Sequence, residues 1–395
     1  NVLAAGEAYG ASDMGDGKTV CIDYSSINIA KRFHIGHLST TMLGHSLGRI
    51  FRHLGYKTVG INHLGDWGTQ FGKLIYAFKT WGEESEVEAK GVPELTRLYV
   101  KFHEEAEKDP SLDDEGRRWF KAIEDGDEEA LRLFNWFKDL TLRDAKPVYD
   151  MLGVEFDSYN GESFYVDKTD RVVNELRDKN LLTLSEGASV VDLDEEESGM
   201  PPCLILKKDG TTIYATRDIA AALYRKETYD FDKCLYVVAY QQDLHFRQFF
   251  KVIEKMGYDW AKDLVHVSFG MISVGGQSLS TRKGHVLFLE DVLNTAIQKA
   301  REIIEEKSPN LENKDEVANQ VGIGAGIYAD LQNGRIKDID FTWERVLSFD
   351  GETGPYVQYT HARCCSALRK AAELEPVEPD YSALSDDYAQ ELLRQ

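Results

Sequence analysis

The tetrad His34-Ile35-Gly36-His37 has residue types and spacing suited to phosphate chemistry. Its two histidines are three apart, so on a helix they share one side of a turn. A helix start presents free backbone N–H groups and a partial positive charge, which together hold phosphate. Two imidazole N–H groups on that turn can reach one phosphate chain. Gly36 has no side chain, so a flat base can lie against its backbone. Alone, the tetrad reads equally as surface histidines at a helix start. A second segment, Ser278-Leu279-Ser280-Thr281-Arg282-Lys283-Gly284, joins hydroxyls to two adjacent cations, with Gly275 and Gly276 before it. Such a loop can close over a polyphosphate and neutralise charge that develops during transfer. Alone, it also reads as a surface turn with a basic tip. Tyr214 and Asp218 lie four apart and could meet one group from one helical face. Asp218 reads as well as the N-cap of a helix over Ile219 to Arg225.

These residues need elements to carry them. Thr19 to Tyr24 (TVCIDY) is short, β-branched and apolar, a buried strand by pattern. Gly36 to Leu54 repeats Leu38, Met42, Leu43, Leu47 and Ile50 on one face, then stops at Gly55. Thr58 to His63 is a second strand, so the three make a βαβ unit with a parallel sheet. From Lys79 to Lys146 the pattern is helical and polar, and Val154 to Leu193 is mixed, with FDSYNGESF as a Gly-marked turn. Residues 79 to 198 read as an insertion that splits the sheet. Cys203 to Lys207 and Thr212 to Ala215 flank Asp209-Gly210, a type I′ hairpin signal. Cys234 to Ala239 and Val265 to Phe269 are further buried strands. From Glu290 onward the chain reads as almost wholly helical. Gly322, Gly324 and Gly326 lack a preceding strand, which excludes a dinucleotide fingerprint and leaves helix packing.

The expected fold class is α/β, a Rossmann-like parallel-sheet catalytic domain with a helical insertion, followed by an all-helical C-terminal region. With 42% hydrophobic and 29% charged residues, the composition is that of a globular domain. No apolar run reaches the roughly 18 residues of a membrane span, and Asn1 to Val20 lacks the pattern of a signal peptide. The start without Met indicates a processed or cut terminus. The five cysteines form no CxxC pair, so neither zinc nor a disulfide framework is expected and a reducing cytoplasm is. Cys364-Cys365 reads as core packing. A net charge of −22 argues against a nonspecific nucleic-acid binder and against DNA as partner.

The tetrad and the Ser278 loop together resemble the HIGH and KMSKS signatures of class I aminoacyl-tRNA synthetases. Asp23-Tyr24-Ser25-Ser26-Ile27-Asn28-Ile29-Ala30-Lys31 resembles the arginyl enzymes in particular. So do Asn62-His63-Leu64-Gly65-Asp66-Trp67-Gly68-Thr69-Gln70-Phe71-Gly72, Tyr214-Ala215-Thr216-Arg217-Asp218, Gln241-Gln242-Asp243-Leu244-His245 and Gly354-Pro355-Tyr356-Val357-Gln358-Tyr359-Thr360-His361-Ala362-Arg363. They run in family order over nearly the whole chain. The resemblance implies activation of L-arginine by ATP with Mg²⁺, release of pyrophosphate, and transfer to tRNA(Arg). It implies catalytic roles for His34, His37, Lys31, Arg282 and Lys283, and ATP contacts from Gly36, His245, Ser280 and Thr281 besides His34, His37 and Lys283. Asp23, Asn28, Tyr214, Asp218 and Gln242 would bind arginine, the carboxylates taking its guanidinium fork. His245 reads equally as a core or capping histidine. The chain departs from the arginyl pattern at Ile27 and Arg32, where Pro is usual, and at Ser278, where many relatives carry Lys. In many arginyl enzymes a Lys just before the tetrad takes that role, and Lys31 stands there.

The expected division is an N-terminal extension (1–20), two catalytic halves (21–78 and 199–290) around a connective insertion (79–198), a helical stem-contact region (291–346) and the start of an anticodon-binding bundle (347–395). That bundle looks truncated, and the family's frequent N-terminal domain looks absent. A cytoplasmic monomer is expected. Three alternatives remain: another HIGH-type enzyme, a non-catalytic paralogue that binds tRNA or a regulator, and a purely structural domain.

Overall fold

A computed structural model of the chain describes residues 6–193, 199–274, 277–278, 287–342, 348, 351–372 and 380–394. The first seven strands among the described residues are β1 (Thr19–Asp23), β2 (Lys57–Ile61), β3 (Leu182–Ser185), β4 (Ala188–Val191), β5 (Cys203–Leu206), β6 (Phe231–Tyr236) and β7 (Leu264–His266). Four of them form a parallel sheet in the order β2-β1-β6-β7. β1 has the continuous apolar run of a strand covered on both faces. Val20 and Ile22 face one hydrophobic core and Cys21 faces the other, as the two-residue period of a strand requires. The Gly36–His53 helix carries the chain from β1 to β2, so the expected βαβ unit forms. β2 lies on one side of β1 and β6 on the other. The carboxyl ends of β1 and β6 therefore diverge at a switch point, where open α/β sheets take ligands.

Helices Thr69–Trp81, Glu84–Lys90, Val92–Lys108, Leu112–Glu124 and Glu128–Leu152 follow β2. They pack closely enough that a Cβ on Gly72 would lie 2.0 Å from the Gly116 carbonyl oxygen. The last is capped by Asp127, which accepts from the Ala130 amide, and ends at Gly153 in the left-handed region. β3, β4 and β5 form a separate antiparallel sheet. Cys203–Leu206 thus pairs with β4 across the expected 198/199 border, because Cys203 and Ile205 bury beside Val191 and Leu193. The expected type I′ hairpin does not form. The Gly210 amide bonds to the Lys207 carbonyl, and Gly210 has φ 81° but Asp209 is not left-handed. Only Thr212 bridges back to Leu206, and a helix over Tyr214–Tyr229 starts where the second strand was expected.

The C-terminal part pairs the helices Leu289–Lys307 and Lys314–Leu331. A Cβ on Gly322 would lie 2.6 Å from the Ile297 amide nitrogen, and one on Gly354 would lie 2.9 Å from the Gly324 carbonyl oxygen. Helix packing is therefore what the GxGxG run serves. The region is not wholly helical: β10 (Ile339–Phe341) joins the short strands β8 (Ile272–Val274) and β9 (Gln277–Ser278). The Cys364-Cys365 expectation also fails. The Gly354–Ala371 helix buries only its first turn, leaving Cys364 exposed and Cys365 half-buried. No helix among the described residues is long and apolar enough to cross a membrane.

Candidate active site

His34 and His37 meet at the start of the Gly36–His53 helix with ring centroids 3.9 Å apart. The free amides expected there are absent, because each has a partner. The His34 amide donates to His37 Nδ1 (3.2 Å) and the Gly36 amide to His34 Nδ1 (3.1 Å). The His37 and Leu38 amides donate to the carbonyls of His34 and Ile35. A backbone N–H can only donate, so His34 Nδ1 accepts and its ring proton sits on Nε2, whereas His37 Nδ1 lies 3.2 Å from both the His34 amide nitrogen and the His34 carbonyl oxygen and can accept from the one or donate to the other. The tetrad offers a ligand two imidazole edges, with His34 Nε2–H a fixed donor, in place of a row of amides. Burial, with the charge of nearby Lys31, lowers His34 from 6.5 to about 4. Burial, then His34 and Lys31, lowers His37 to about 3. Both are neutral donors near pH 7.

Residues 287–289, which follow the second signature, are anchored to the tetrad. The Ile35 amide donates to the Leu287 carbonyl and the Leu289 amide to the Phe33 carbonyl, both at 2.9 Å, with His34 bridging Phe288. Arg32 covers this seam with its guanidinium 3.6 Å from the Phe288 ring centre and 3.8 Å from Asp291. The departure from Pro at Arg32 therefore has a packing role. Ser280, Thr281, Arg282 and Lys283 lie outside the described residues, while Ser278 ends β9. Lys31 is exposed just before the tetrad.

At the switch point the loop after β1 is held in an uncommon shape. Ser25, Ser26 and Ala30 all have positive φ (69°, 47° and 60°), which costs a non-glycine residue energy and persists only when its surroundings enforce it. Tyr149 of the insertion does so through its hydroxyl, which meets Ser25 Oγ at 2.8 Å and accepts from Asn62 Nδ2 at 2.9 Å. The Ala30 amide donates to Thr141 Oγ1. Asn28 emerges exposed from this loop, its backbone paired with Gly65. A Cβ on Gly65 would lie 2.4 Å from Asn28 Oδ1, so the glycine makes room for that side chain. Gln242 is exposed before the Asp243–Lys255 helix, past the end of β6.

Asp218 lies inside the Tyr214–Tyr229 helix, whose cap position is Ile213, so it is not an N-cap. Its Oδ2 accepts from His245 Nε2 at 2.7 Å, and its Oδ1 stands 3.8 Å from His63 Nε2. The Tyr214 ring is 4.9 Å from the His245 ring. His245, expected on the ATP side, thus belongs to the Asp218–Tyr214 cluster. Burial pushes the Asp218 carboxyl up, but the His245 hydrogen bond and the nearby His245, His63 and Arg225 side chains outweigh it and hold it below its ordinary value. Sequence reasoning missed Glu162 beside this cluster. Burial raises its carboxyl, partly offset by Arg217, whose Nε donates to it at 2.9 Å. The signal lay in FDSYNGESF, where a carboxylate sits among aromatics.

Asp23 requires a correction. It is buried, its Oδ1 accepts from Ser26 Oγ at 2.8 Å and its Oδ2 meets the Arg225 guanidinium at 2.8 Å. The carboxylate expected to take a substrate guanidinium already holds one from this chain, because the Tyr214–Tyr229 helix packs against the end of β1. Two groups thus stand at one edge of the sheet: neutral imidazole donors suited to phosphate, and an ionised carboxylate with aromatic and imidazole neighbours suited to a cation. Among the described residues, no three His, Cys, Asp or Glu side chains converge as a metal site.

The family model described as tRNA synthetases class I (R), catalytic domain, matches residues 1–343. The chain is 60% identical to the arginine–tRNA ligase of Clostridioides difficile (strain 630), covering 100% of this chain and 69% of that protein. It is 57% identical to the arginine–tRNA ligase of Alkaliphilus metalliredigens, with the same coverage. The arginyl-tRNA synthetase structure from Plasmodium falciparum matches with TM-score 0.76 and 26% identity, over 99% of this chain and 65% of that one. The Thermus thermophilus arginyl-tRNA synthetase shares the fold, with TM-score 0.76 and 24% identity over 95% of this chain and 69% of that one.

Proposed function

This chain belongs to the class I arginyl-tRNA synthetases, the arginine–tRNA ligases, and on that premise we propose how its residues divide the reaction. In the first step the arginine carboxylate attacks the α-phosphorus of ATP, forming arginyl-adenylate and releasing pyrophosphate. A carboxylate is already ionised at pH 7, so no general base is needed. Catalysis then rests on alignment and on stabilising phosphate charge. His34 and His37 donate their Nε2 protons in hydrogen bonds to phosphate oxygens without becoming charged. Lys31, Arg282 and Lys283 supply positive charge, Ser280 and Thr281 supply hydroxyl donors, and Gly36 lies under the base. Mg²⁺ would accompany the nucleotide and offset part of its phosphate charge. In the second step the 3′-terminal hydroxyl of tRNA(Arg) attacks the carbonyl of the adenylate and AMP leaves.

Asp218 binds the substrate guanidinium, with Tyr214 and Glu162 beside it, while Asn28 and Gln242 hold the α-amino and carboxylate end. The observation that carries this reading is the Asp218 carboxylate, kept ionised in a largely enclosed cell at the switch point. A half-buried carboxylate so prepared suits a ligand cation that completes its hydrogen bonding. The non-catalytic alternative is disfavoured by the intact, paired imidazoles of His34 and His37. The halves 21–78 and 199–290 would form the catalytic body. Residues 79–198 would be the connective insertion, 291–346 would face the acceptor stem, and 347–395 would open the anticodon-binding helices. The protein would work as a cytoplasmic monomer.

Thermal unfolding with non-hydrolysable aminoacyl-adenylate analogues, one per amino acid, tests the pocket. A ligand that binds only the folded state adds about 2.7 kcal/mol at 100-fold excess over Kd. Stabilisation by the arginyl analogue alone is expected. A shift with another analogue instead would reassign the substrate.

A further inference from the structure

Arg225 is among the most deeply buried large side chains of the protein, with its side chain 1% exposed. Its Nη2 meets Asp23 Oδ2 at 2.8 Å and His63 Nδ1 at 3.2 Å. Its Nε and Nη1 have no hydrogen-bond partner among the described residues. A buried ion pair is weak support for stability, and well-packed apolar residues often do as well or better. The guanidinium carbon also lies 5.4 Å from the centre of the Tyr236 ring, and the cation acts on every group packed around it.

A guanidinium has donors only. His63 Nδ1 must therefore accept, and the His63 proton must sit on Nε2. That nitrogen faces Asp218 Oδ1 at 3.8 Å and is itself without a hydrogen-bond partner among the described residues. A single cation thus does two things beneath the pocket. It occupies Asp23, the second carboxylate near the switch point, and it turns a polarised N–H toward the first.

We propose that Arg225 is a positioning residue for arginine recognition: it fixes His63 as the Nε2–H tautomer aimed at Asp218, and it withholds Asp23 from the incoming guanidinium, leaving Asp218 as the carboxylate that fork meets. The inference rests on the arginine pocket proposed above. With Asp23 unpaired, two carboxylates would compete for one cation in two registers. Only one register leads the substrate carboxylate toward the phosphate-binding histidines.

The test compares the wild type with Arg225→Lys and with the double variant Asp23→Leu/Arg225→Met, which removes both buried charges and so avoids leaving one unpaired. Calorimetry would measure binding of a non-hydrolysable arginyl-adenylate analogue and of ATP, and ¹⁵N NMR of the histidine rings would report the His63 tautomer. We expect the double variant to bind the arginyl analogue at least tenfold more weakly and ATP within twofold, with His63 becoming a mixture of tautomers. Arg225→Lys should keep the fold and lose affinity for the arginyl analogue to a similar extent, since an ammonium lacks the fork that spans Asp23 and His63. Wild-type affinity for the arginyl analogue in either variant would overturn the proposal, as would an unchanged His63 tautomer or an equal loss for ATP. If the wild type itself fails to bind the arginyl analogue while binding ATP, the arginine pocket falls and this inference with it. If the wild type binds and the variants match it, only the inference falls.

Discussion

At the residue scale the two signature histidines differ from the usual picture of a charged phosphate clamp. Their acidic shifts, to about 4 and about 3, come first from burial, so they serve as neutral donors. The consequence for stability has a definite sign. The unfolded chain binds protons at these positions below about pH 6.5 and the folded chain does not, so their contribution is full above that value and is lost as pH falls toward 4. The ceiling is about 1.4 kcal/mol per pH unit for each histidine. Melting temperature should therefore fall between pH 7 and pH 5, and His37→Gln should flatten that slope. An unaltered slope would show that His37 is protonated in the folded protein. His37→Ala should also lower the rate of adenylate formation by about 10²–10³-fold while far-ultraviolet circular dichroism stays the same. The histidines were legible in the sequence because three-residue spacing puts them on one turn. The Asp218–His245 bond joins residues 27 positions apart, a pairing that no local pattern encodes.

At the element scale the insertion takes part in shaping the site as well as interrupting the sheet. The Glu128–Leu152 helix sends Tyr149 and Thr141 to the loop after β1, and their hydroxyls hold two left-handed non-glycine residues, Ser25 and Ala30, in place. Tyr149→Phe keeps the ring and removes the hydroxyl, leaving the Asn62 amide and Ser25 hydroxyl short of a buried partner. That should cost about 1–3 kcal/mol, measurable by denaturant unfolding, and should raise the KM for arginine through Asn28 more than the KM for ATP. Equal changes in both would mean that the loop does not act on the arginine side alone. The strand and helix of the first βαβ unit were legible because β1 is a short β-branched run and the helix repeats its apolar residues at a period near 3.6. Tyr214–Tyr229 began earlier than expected, since Thr212 and Tyr214 favour strands locally while burial of Ala220, Ala222 and Leu223 against the sheet decides for helix.

At the scale of the whole molecule two cores lie on opposite faces of one parallel sheet, under a surface with a net charge of −22. Many surface ion pairs link its helices, yet exposed pairs contribute little, typically 0–1 kcal/mol each. Self-repulsion of the excess carboxylates is the larger electrostatic effect and is screened by salt. Raising sodium chloride from about 10 mM to about 150 mM should therefore raise the melting temperature. A fall would show that the ion pairs outweigh the repulsion.

The sequence by itself determined the class of chemistry, the βαβ start and the family, because these depend on residue types at short, ordered spacings. It also placed the carboxylate at Asp218 and the glycines that let helices approach. Tertiary structure alone decided which carboxylate is open to a ligand. Asp23 and Asp218 are equivalent on paper, and only the crossing of the Tyr214–Tyr229 helix over the end of β1 gives the first to Arg225 and leaves the second with two imidazoles. A buried charge takes its protonation state and its role from whatever packs against it, and that is settled when distant segments meet.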